Sequence, residues 1–184
     1  REPQLNTTNR APEATAKNRI RDVDVVSRRY LDVRAKREYT PVTSDPDATY
    51  EKVFEFDTEK VELGVAKPMS PDNYAPLSEV AGTKLDQVFI GSCTNSRITD
   101  LRRAAAVLDG HKVAPGVRLI ITPSSHQVAI QVEKGGLIGI FLAYGAAWTA
   151  ATCRACLGGH NGVLGAGEEW LMSTERNVRS PMGL

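Results

Sequence analysis

From residue 83 onward, apolar positions alternate between short continuous runs and helical spacing. The runs DQVFIG at 86–91 and VRLIITP at 117–123 have the length and residue types of buried strands. The segments ITDLRRAAAVLDG at 98–110 and SSHQVAIQVEKGG at 124–136 place apolar residues three and four positions apart. This spacing predicts one helix after each strand.

The residues around these segments indicate where the helices begin and how the sheet is connected. Ser96 precedes the first helix, Ser124 or Ser125 precedes the second, and serine is a preferred N-cap residue. The apolar stretch GLIGIFLAYGAA then predicts a short helix that ends near Gly145. Strands that alternate with helices predict an α/β fold with a mainly parallel sheet and right-handed crossovers.

The first part of the chain has a different pattern. Residues 1–40 are rich in charge, and a loose helical spacing predicts a surface helix at about 22–37. Residues 41–82 are dense in Pro, Asp, Asn and Ser, which favour turns, but YEKVFEFD at 50–57 alternates like a short strand. We therefore predict a partial, loosely ordered helical domain at 1–40, a linker with a short strand at 41–82, and an α/β domain at 83–184.

Composition and charge narrow the classes of partner. The formal net charge is +1, which favours neither nucleic acid nor an anionic membrane. No apolar run approaches the roughly 20 residues that span a bilayer, and REPQLNTTNR lacks the apolar core of a signal peptide. We therefore expect no nucleic-acid partner, no membrane association and a cytoplasmic location in which the cysteines stay reduced.

Cys93 lies in GSCTNSR at 91–97, between the first predicted strand and its helix. In open parallel sheets, ligands bind beyond the carboxyl ends of the strands. The positive end of the following helix stabilises an anion such as a thiolate. Cys93 is therefore predicted to be a metal ligand; the alternative is a small buried side chain of the core.

A second cysteine site lies in TCRACLGGHNGVLGAGE at 152–168. Cys153 and Cys156 are close enough in sequence to bind one metal centre, and the glycines allow the loop to approach it closely. With His160, the three cysteines of the chain would make a Cys3His structural zinc site. Three cysteines on a four-iron cluster would instead leave one iron open to act as a Lewis acid. An ordinary surface loop is the third interpretation.

VFIGSCTNSR, KVAPGVRLIITPSS and GAAWTAATCRACLGGHNGVLGAGE closely resemble the aconitase superfamily, nearest its 3-isopropylmalate dehydratase large subunits and archaeal-type homoaconitases. The resemblance implies an aconitase-like three-layer α/β/α domain after a partial domain and linker. It implies a 4Fe-4S cluster on Cys93, Cys153 and Cys156, which an isolated or oxidised sample is expected to lose. The implied activity is that of a hydro-lyase, which isomerises a hydroxy di- or tricarboxylic acid by dehydration and rehydration in leucine or lysine biosynthesis.

The resemblance is weaker near the N-terminus. TTNRAPEATAKN at 7–18 resembles a family segment whose asparagine and glutamate approach the cluster and the substrate. This makes Asn9 a substrate-binding candidate and Glu13 the catalytic candidate. The family's further catalytic histidines and aspartates have no counterpart here, and its serine base lies on a small subunit or swivelling domain. The chain is therefore expected to be inactive without those partners and the rest of the large subunit.

STERNVRSPMG at 173–183 resembles a substrate-binding stretch of the family. Arg176 and Asn177 match it, and an arginine is suited to holding a substrate carboxylate. The chain departs from the family at Glu175, where an asparagine is usual, and at Pro181, where a second arginine is usual. Both departures are expected to weaken binding of an anionic substrate.

Two alternatives from other functional classes remain. One is a non-catalytic, degenerate or truncated family member that keeps the fold. The other is a zinc-binding structural module that uses the three cysteines and His160. Metal analysis separates the zinc module from the iron–sulfur enzyme.

Overall fold

The chain divides into two compact units, an N-terminal unit at residues 1–63 and a C-terminal unit at residues 64–184. The computed structural model describes residues 17, 19–153, 156, 158–159 and 161–174. The domain boundaries predicted at residues 41 and 83 do not coincide with this division and stay predictions. None of the described helices is long and apolar enough to cross a bilayer.

In the N-terminal unit, helix α1 (Val25–Asp32) confirms the predicted surface helix but is shorter than expected. Its first turn is capped by Asp24, whose carboxylate accepts the N–H of Ser27 at 2.6 Å. The helix ends because the N–H groups of Arg34 and Ala35 both bind the Leu31 carbonyl, which tightens the last turn. A single turn of 3-10 helix (Thr58–Lys60) follows later in the unit.

The strand predicted at 50–57 was wrong. These residues belong to no sheet among the described residues, and a strand requires a hydrogen-bonded partner. The rings of Phe54 and Phe56 stack on each other with their centroids 6.3 Å apart. Their side chains are 64% and 80% exposed, so the apolar side of the alternating pattern packs against no core in this structure.

The C-terminal unit opens with a small antiparallel hairpin. Strand β1 (Gly64–Ala66) pairs with β2 (Tyr74–Pro76), and a one-turn helix, α2 (Leu77–Val80), follows directly. The connecting turn is closed by the Lys67 N–H, which donates to the Asn73 carbonyl at 2.8 Å. This hairpin lies in the segment predicted to be a linker.

Four parallel strands form the main sheet and confirm the predicted α/β class. They are β3 (Gln87–Ile90), β4 (Arg118–Ile121), β5 (Ala147–Trp148) and β6 (Trp170–Met172). Their spatial order is β5-β4-β3-β6, and every neighbouring pair is parallel. The two strands predicted from apolar runs, β3 and β4, are thus the central pair.

Three helices, each at its predicted place, cover one face of this sheet: α3 (Ile98–Leu108), α4 (His126–Lys134) and α5 (Leu137–Ala143). Their buried side chains join those of β4 in the main core, whose members are Leu101, Ala105, Leu119, Ile121, Val132, Phe141 and Ala146. Ser125 is the cap of α4, because its hydroxyl accepts the Val128 N–H at 3.2 Å. The cap predicted for α3 was wrong: the N-cap is Arg97, whose N–H donates to Asp100 at 3.0 Å.

The opposite face of the sheet has a smaller core. Phe89 and Ile120 are buried there, Trp170 and Met172 extend it, and the side chains of Cys156 and Leu164 pack against it. In the described part of the chain this face is covered by the loop before β6, and no α-helix contributes to its core. The layers described are therefore helices, sheet and loop, with the second cysteine segment in the loop layer.

Candidate functional site

The cysteine of GSCTNSR lies in a tight turn immediately beyond the carboxyl end of β3. Ser92 is buried and has a φ of +64°, the left-handed region that non-glycine residues seldom adopt. Cys93 follows it and is exposed. The turn thus places a thiol at the surface within three residues of the end of a central strand, as the sequence predicted.

Hydrogen bonds tie this turn to the segment after β6. The Gly91 N–H donates to the Ser173 hydroxyl at 3.2 Å, and that hydroxyl donates to the Asn95 carbonyl at 3.4 Å. The Asn95 side-chain amide donates to the Ser173 carbonyl. Because Ser173 begins the STERNVRS stretch, the chain that leads to the predicted substrate-binding residues starts beside the Cys93 turn.

Two polar atoms near the turn are buried without a hydrogen-bond partner among the described residues. They are the hydroxyl of Ser96, which is fully buried, and the Nε of Arg97. A buried donor without a partner typically costs about 1–3 kcal/mol, so such atoms are uncommon unless a ligand or water satisfies them. The terminal nitrogen of Arg97 lies 3.4 Å from the Cys93 carbonyl, so this side chain contacts the turn that carries the predicted metal ligand.

The other two cysteines lie in the loop layer. Cys153 is exposed, Cys156 is half-buried against Phe89 and Ile120, and all three cysteines of the chain are thiols rather than disulfides. Among the described residues, no three His, Cys, Asp or Glu side chains form a group able to hold a metal ion. The assignment of the three cysteines to one metal centre therefore stays a prediction.

A polar network that was not predicted from the sequence connects the loop layer to the sheet. Gln87 is fully buried in β3; its amide nitrogen donates to the Gly162 carbonyl at 2.7 Å, and its oxygen accepts Arg118 Nε at 3.1 Å. Arg118 also donates two hydrogen bonds to Glu168, at 2.7 and 2.6 Å. Glu168 accepts the Gly165 N–H at 2.7 Å. A glutamine inside the apolar run DQVFIG was the one sequence signal of this network.

These contacts lower the pKa of Glu168 to about 2. The largest cause is the hydrogen bonding from Arg118, followed by the hydrogen bond from the Gly165 backbone. The same pair raises the pKa of Arg118. Asp86 also has a lowered pKa, first because it accepts the Glu169 N–H and then because it pairs with Lys84. The loop is thus joined to the sheet by groups that are charged at neutral pH.

The remaining predicted site residues lie outside the described residues. They are Asn9, Glu13, His160, Arg176 and Asn177.

Comparison with known proteins gives one family over almost the whole chain. The sequence model described as "Aconitase family (aconitate hydratase)" matches residues 2–182. A 3-isopropylmalate dehydratase large subunit of Rubrobacter xylanophilus is 47% identical over 180 residues, which cover 98% of this chain and 42% of that protein. Large subunits of the same name from Pyrococcus furiosus and Syntrophus aciditrophicus are each 50% identical, over 99% and 98% of this chain and 43% of theirs. The chain thus spans less than half the length of these curated relatives.

Proposed function

Because the chain belongs to the aconitase family, we propose that it is the cluster-bearing part of a 3-isopropylmalate dehydratase large subunit. The observation that supports this most strongly is 47–50% identity to large subunits of that name over at least 98% of the chain. A homoaconitase is the next candidate, because the two enzymes act on related hydroxy acids. The proposed reaction is the isomerisation of a hydroxy di- or tricarboxylic acid by dehydration followed by rehydration.

The proposed cofactor is a 4Fe-4S cluster held by Cys93, Cys153 and Cys156. Three thiols and no disulfide match the donor set of such a cluster, and the buried Ser96 hydroxyl beside the Cys93 turn lacks a partner among the described residues. The residues present therefore fit the group chemically. When bound, the cluster would supply one iron without a protein ligand, which polarises the substrate oxygens.

The residues of this chain would bind and orient the substrate. Arg176 and Asn177 are proposed to hold a substrate carboxylate, because a guanidinium presents two parallel donors to it. Ser173 supports this assignment, because its hydrogen bonds to Gly91 and Asn95 hold the beginning of the STERNVRS stretch beside the Cys93 turn. Asn9 and Glu13 are proposed as a further substrate contact and as the residue that moves a proton.

The proposed partners follow from the same relatives. Their name, large subunit, supports a small subunit as partner, and the chain corresponds to 42–43% of their length. We propose that the rest of the large subunit and a small subunit complete the site in a cytoplasmic enzyme of leucine biosynthesis. A homoaconitase would instead act in lysine biosynthesis.

Anaerobic reconstitution with iron and sulfide tests the cofactor. The chain is expected to gain the broad visible absorbance of a 4Fe-4S cluster with four irons and four labile sulfides. Each single replacement of Cys93, Cys153 or Cys156 by serine should reduce cluster binding. Ser124→Ala is the matched control, because it leaves all three thiols in place. One tightly held zinc without labile sulfide would overturn the iron–sulfur assignment in favour of a structural module.

Activity is tested after adding the missing parts. The reconstituted chain is mixed with the unmatched portion of the Pyrococcus furiosus large subunit and its small subunit, and conversion of 3-isopropylmalate is measured. Turnover that is lost in Arg176→Ala supports the proposal. A stable cluster with no turnover and no binding of 3-isopropylmalate or homocitrate would instead indicate a degenerate family member, as the departures at Glu175 and Pro181 suggest.

A further inference from the structure

The fully buried Gln87 is the starting point, because a polar side chain in a central strand is costly unless all its hydrogen bonds are made. Both ends of its amide are satisfied. One end holds the backbone of the glycine-rich loop at Gly162, and the other holds Arg118 of the neighbouring strand. A valine or isoleucine at this position would fill the same space but could not bind the loop.

Arg118 extends the connection to a second point of the loop. Its guanidinium binds both oxygens of Glu168, and one of these oxygens also accepts the Gly165 N–H. A bidentate charged pair fixes geometry more strongly than a single hydrogen bond. The loop is therefore held at two points. The Gly162 carbonyl is bound by Gln87 of the sheet, and the Gly165 N–H is bound by Glu168, which is itself bound to Arg118 of the sheet.

The loop fixed in this way is the one that contains the second cysteine site. The half-buried Cys156 packs on Phe89 and Ile120, whose strand neighbours on the same face are Gln87 and Arg118. Strand side chains alternate between faces, so the four lie on one side of β3 and β4. The network thus holds the loop against the surface on which Cys156 rests.

We propose that Gln87, Arg118 and Glu168 form a latch, here called the loop latch, that positions Cys156 on the sheet. These are positioning residues, because they act on the thiol through the loop backbone and through the shared face of the sheet. The role of this thiol as a cluster ligand rests on the proposed function. The positioning of the thiol by the loop latch is independent of that function.

The test is the alkylation rate of each cysteine in the native 184-residue chain without cofactor, measured with limiting iodoacetamide and peptide mass spectrometry. Glu168→Gln removes the charge that binds Arg118, and Glu169→Gln makes the same change one residue later, on an exposed side chain. We expect the ratio of Cys156 to Cys93 alkylation to rise about threefold or more in Glu168→Gln, since a charged bidentate bond is lost. Glu169→Gln should leave the ratio unchanged.

Gln87→Leu provides the second variant, because leucine preserves the volume but removes both hydrogen bonds. It should raise the same ratio; if this variant does not fold, Glu168→Gln alone decides. An unchanged ratio in Glu168→Gln overturns the proposal. So does an equal rise at all three cysteines together with a lower Tm, because that pattern reports general loosening.

Cluster retention separates this proposal from the proposed function. After reconstitution, Glu168→Gln should lose its visible absorbance to a chelator faster than Glu169→Gln. If neither the parent chain nor any variant takes up a cluster, the proposed function fails. The alkylation ratio then still tests whether the loop latch positions Cys156.

Discussion

The two units of the chain differ in what they bury. In the C-terminal unit, the side chains of Phe89, Leu101, Ile121 and Phe141 are all fully buried. In the N-terminal unit, none of the residues whose burial is described is buried, and Leu63 is 83% exposed. Burial of apolar surface is the main favourable contribution to folding. The comparison therefore predicts that the buried side chains of the C-terminal unit contribute more to folding stability than the described side chains of the N-terminal unit.

The largest contrast is expected in amide hydrogen exchange. Amides of β3 lie between two parallel strands, whereas residues 50–57 belong to no sheet of the described chain. Exchange at β3 should be slower by several orders of magnitude, because it requires global or near-global opening. Mass spectrometry of labelled peptides measures both. Strong protection at 50–57 in the isolated chain would contradict the comparison.

The next largest effect is expected from Phe141→Ala. Phe141 is fully buried, and its ring is stacked with that of Trp148 at a centroid distance of 5.9 Å. The substitution should lower the free energy of unfolding by about 3–5 kcal/mol. Phe56→Ala is the matched control, with an expected change within about 0.5 kcal/mol because the ring is exposed. Urea unfolding followed by circular dichroism gives both values, and similar losses would refute the assignment of stability to one unit.

A smaller effect is expected from the helix caps, which use the same chemistry in both units. Ser125→Ala removes the cap of α4 and should cost about 1 kcal/mol. Asp24→Ala removes the cap of α1, which has no buried residue, and should not change unfolding of the C-terminal unit. Tryptophan fluorescence reports that unit selectively, because both tryptophans, Trp148 and Trp170, lie in it. An equal shift from both variants would show that the two units unfold together.

The smallest effect is expected from the titration of Glu168. Its native pKa is about 2, below the ordinary 4.5, so the unfolded chain takes up the proton first as the pH falls. The stabilisation by Glu168 is therefore fully present above about pH 4.5 and is lost as the pH falls towards 2. The positive charges of Arg118 and Lys84 favour the charged form of Glu168. The negative charge of Glu168 in turn acts against the charged form of the nearby Asp86.

Comparing the urea midpoints of the parent chain and Glu168→Gln measures this titration. The difference between them should be constant above pH 5 and shrink between about pH 4.5 and 2.5. A difference that stays constant down to pH 2.5 would show that Glu168 does not have the lowered pKa.

Much of the fold and the position of one site element could be predicted from local sequence. The strands and helices from residue 87 to residue 143 lie where the spacing of apolar residues placed them, and Cys93 follows a central strand as expected. The strand at 50–57 failed because an alternating pattern indicates a strand only where a partner supplies hydrogen bonds. The cap predicted at Ser96 failed because the helix begins at Ile98, which makes Arg97 the N-cap, and the buried Ser96 hydroxyl has no hydrogen-bond partner among the described residues.

The sequence by itself determined the type and order of the elements, because helical and extended periods are expressed within about ten residues of chain. It also determined the aconitase family, through GSCTNSR and the later Cys-x-x-Cys segment. The tertiary structure alone decided what covers the second face of the sheet and which polar groups hold it. Gln87 and Arg118 are 31 positions apart, and Arg118 and Glu168 are 50 apart. Hydrogen bonds between such residues depend on distances that exist only after the strands have paired, so the local pattern could mark Gln87 as unusual but could not identify its partners.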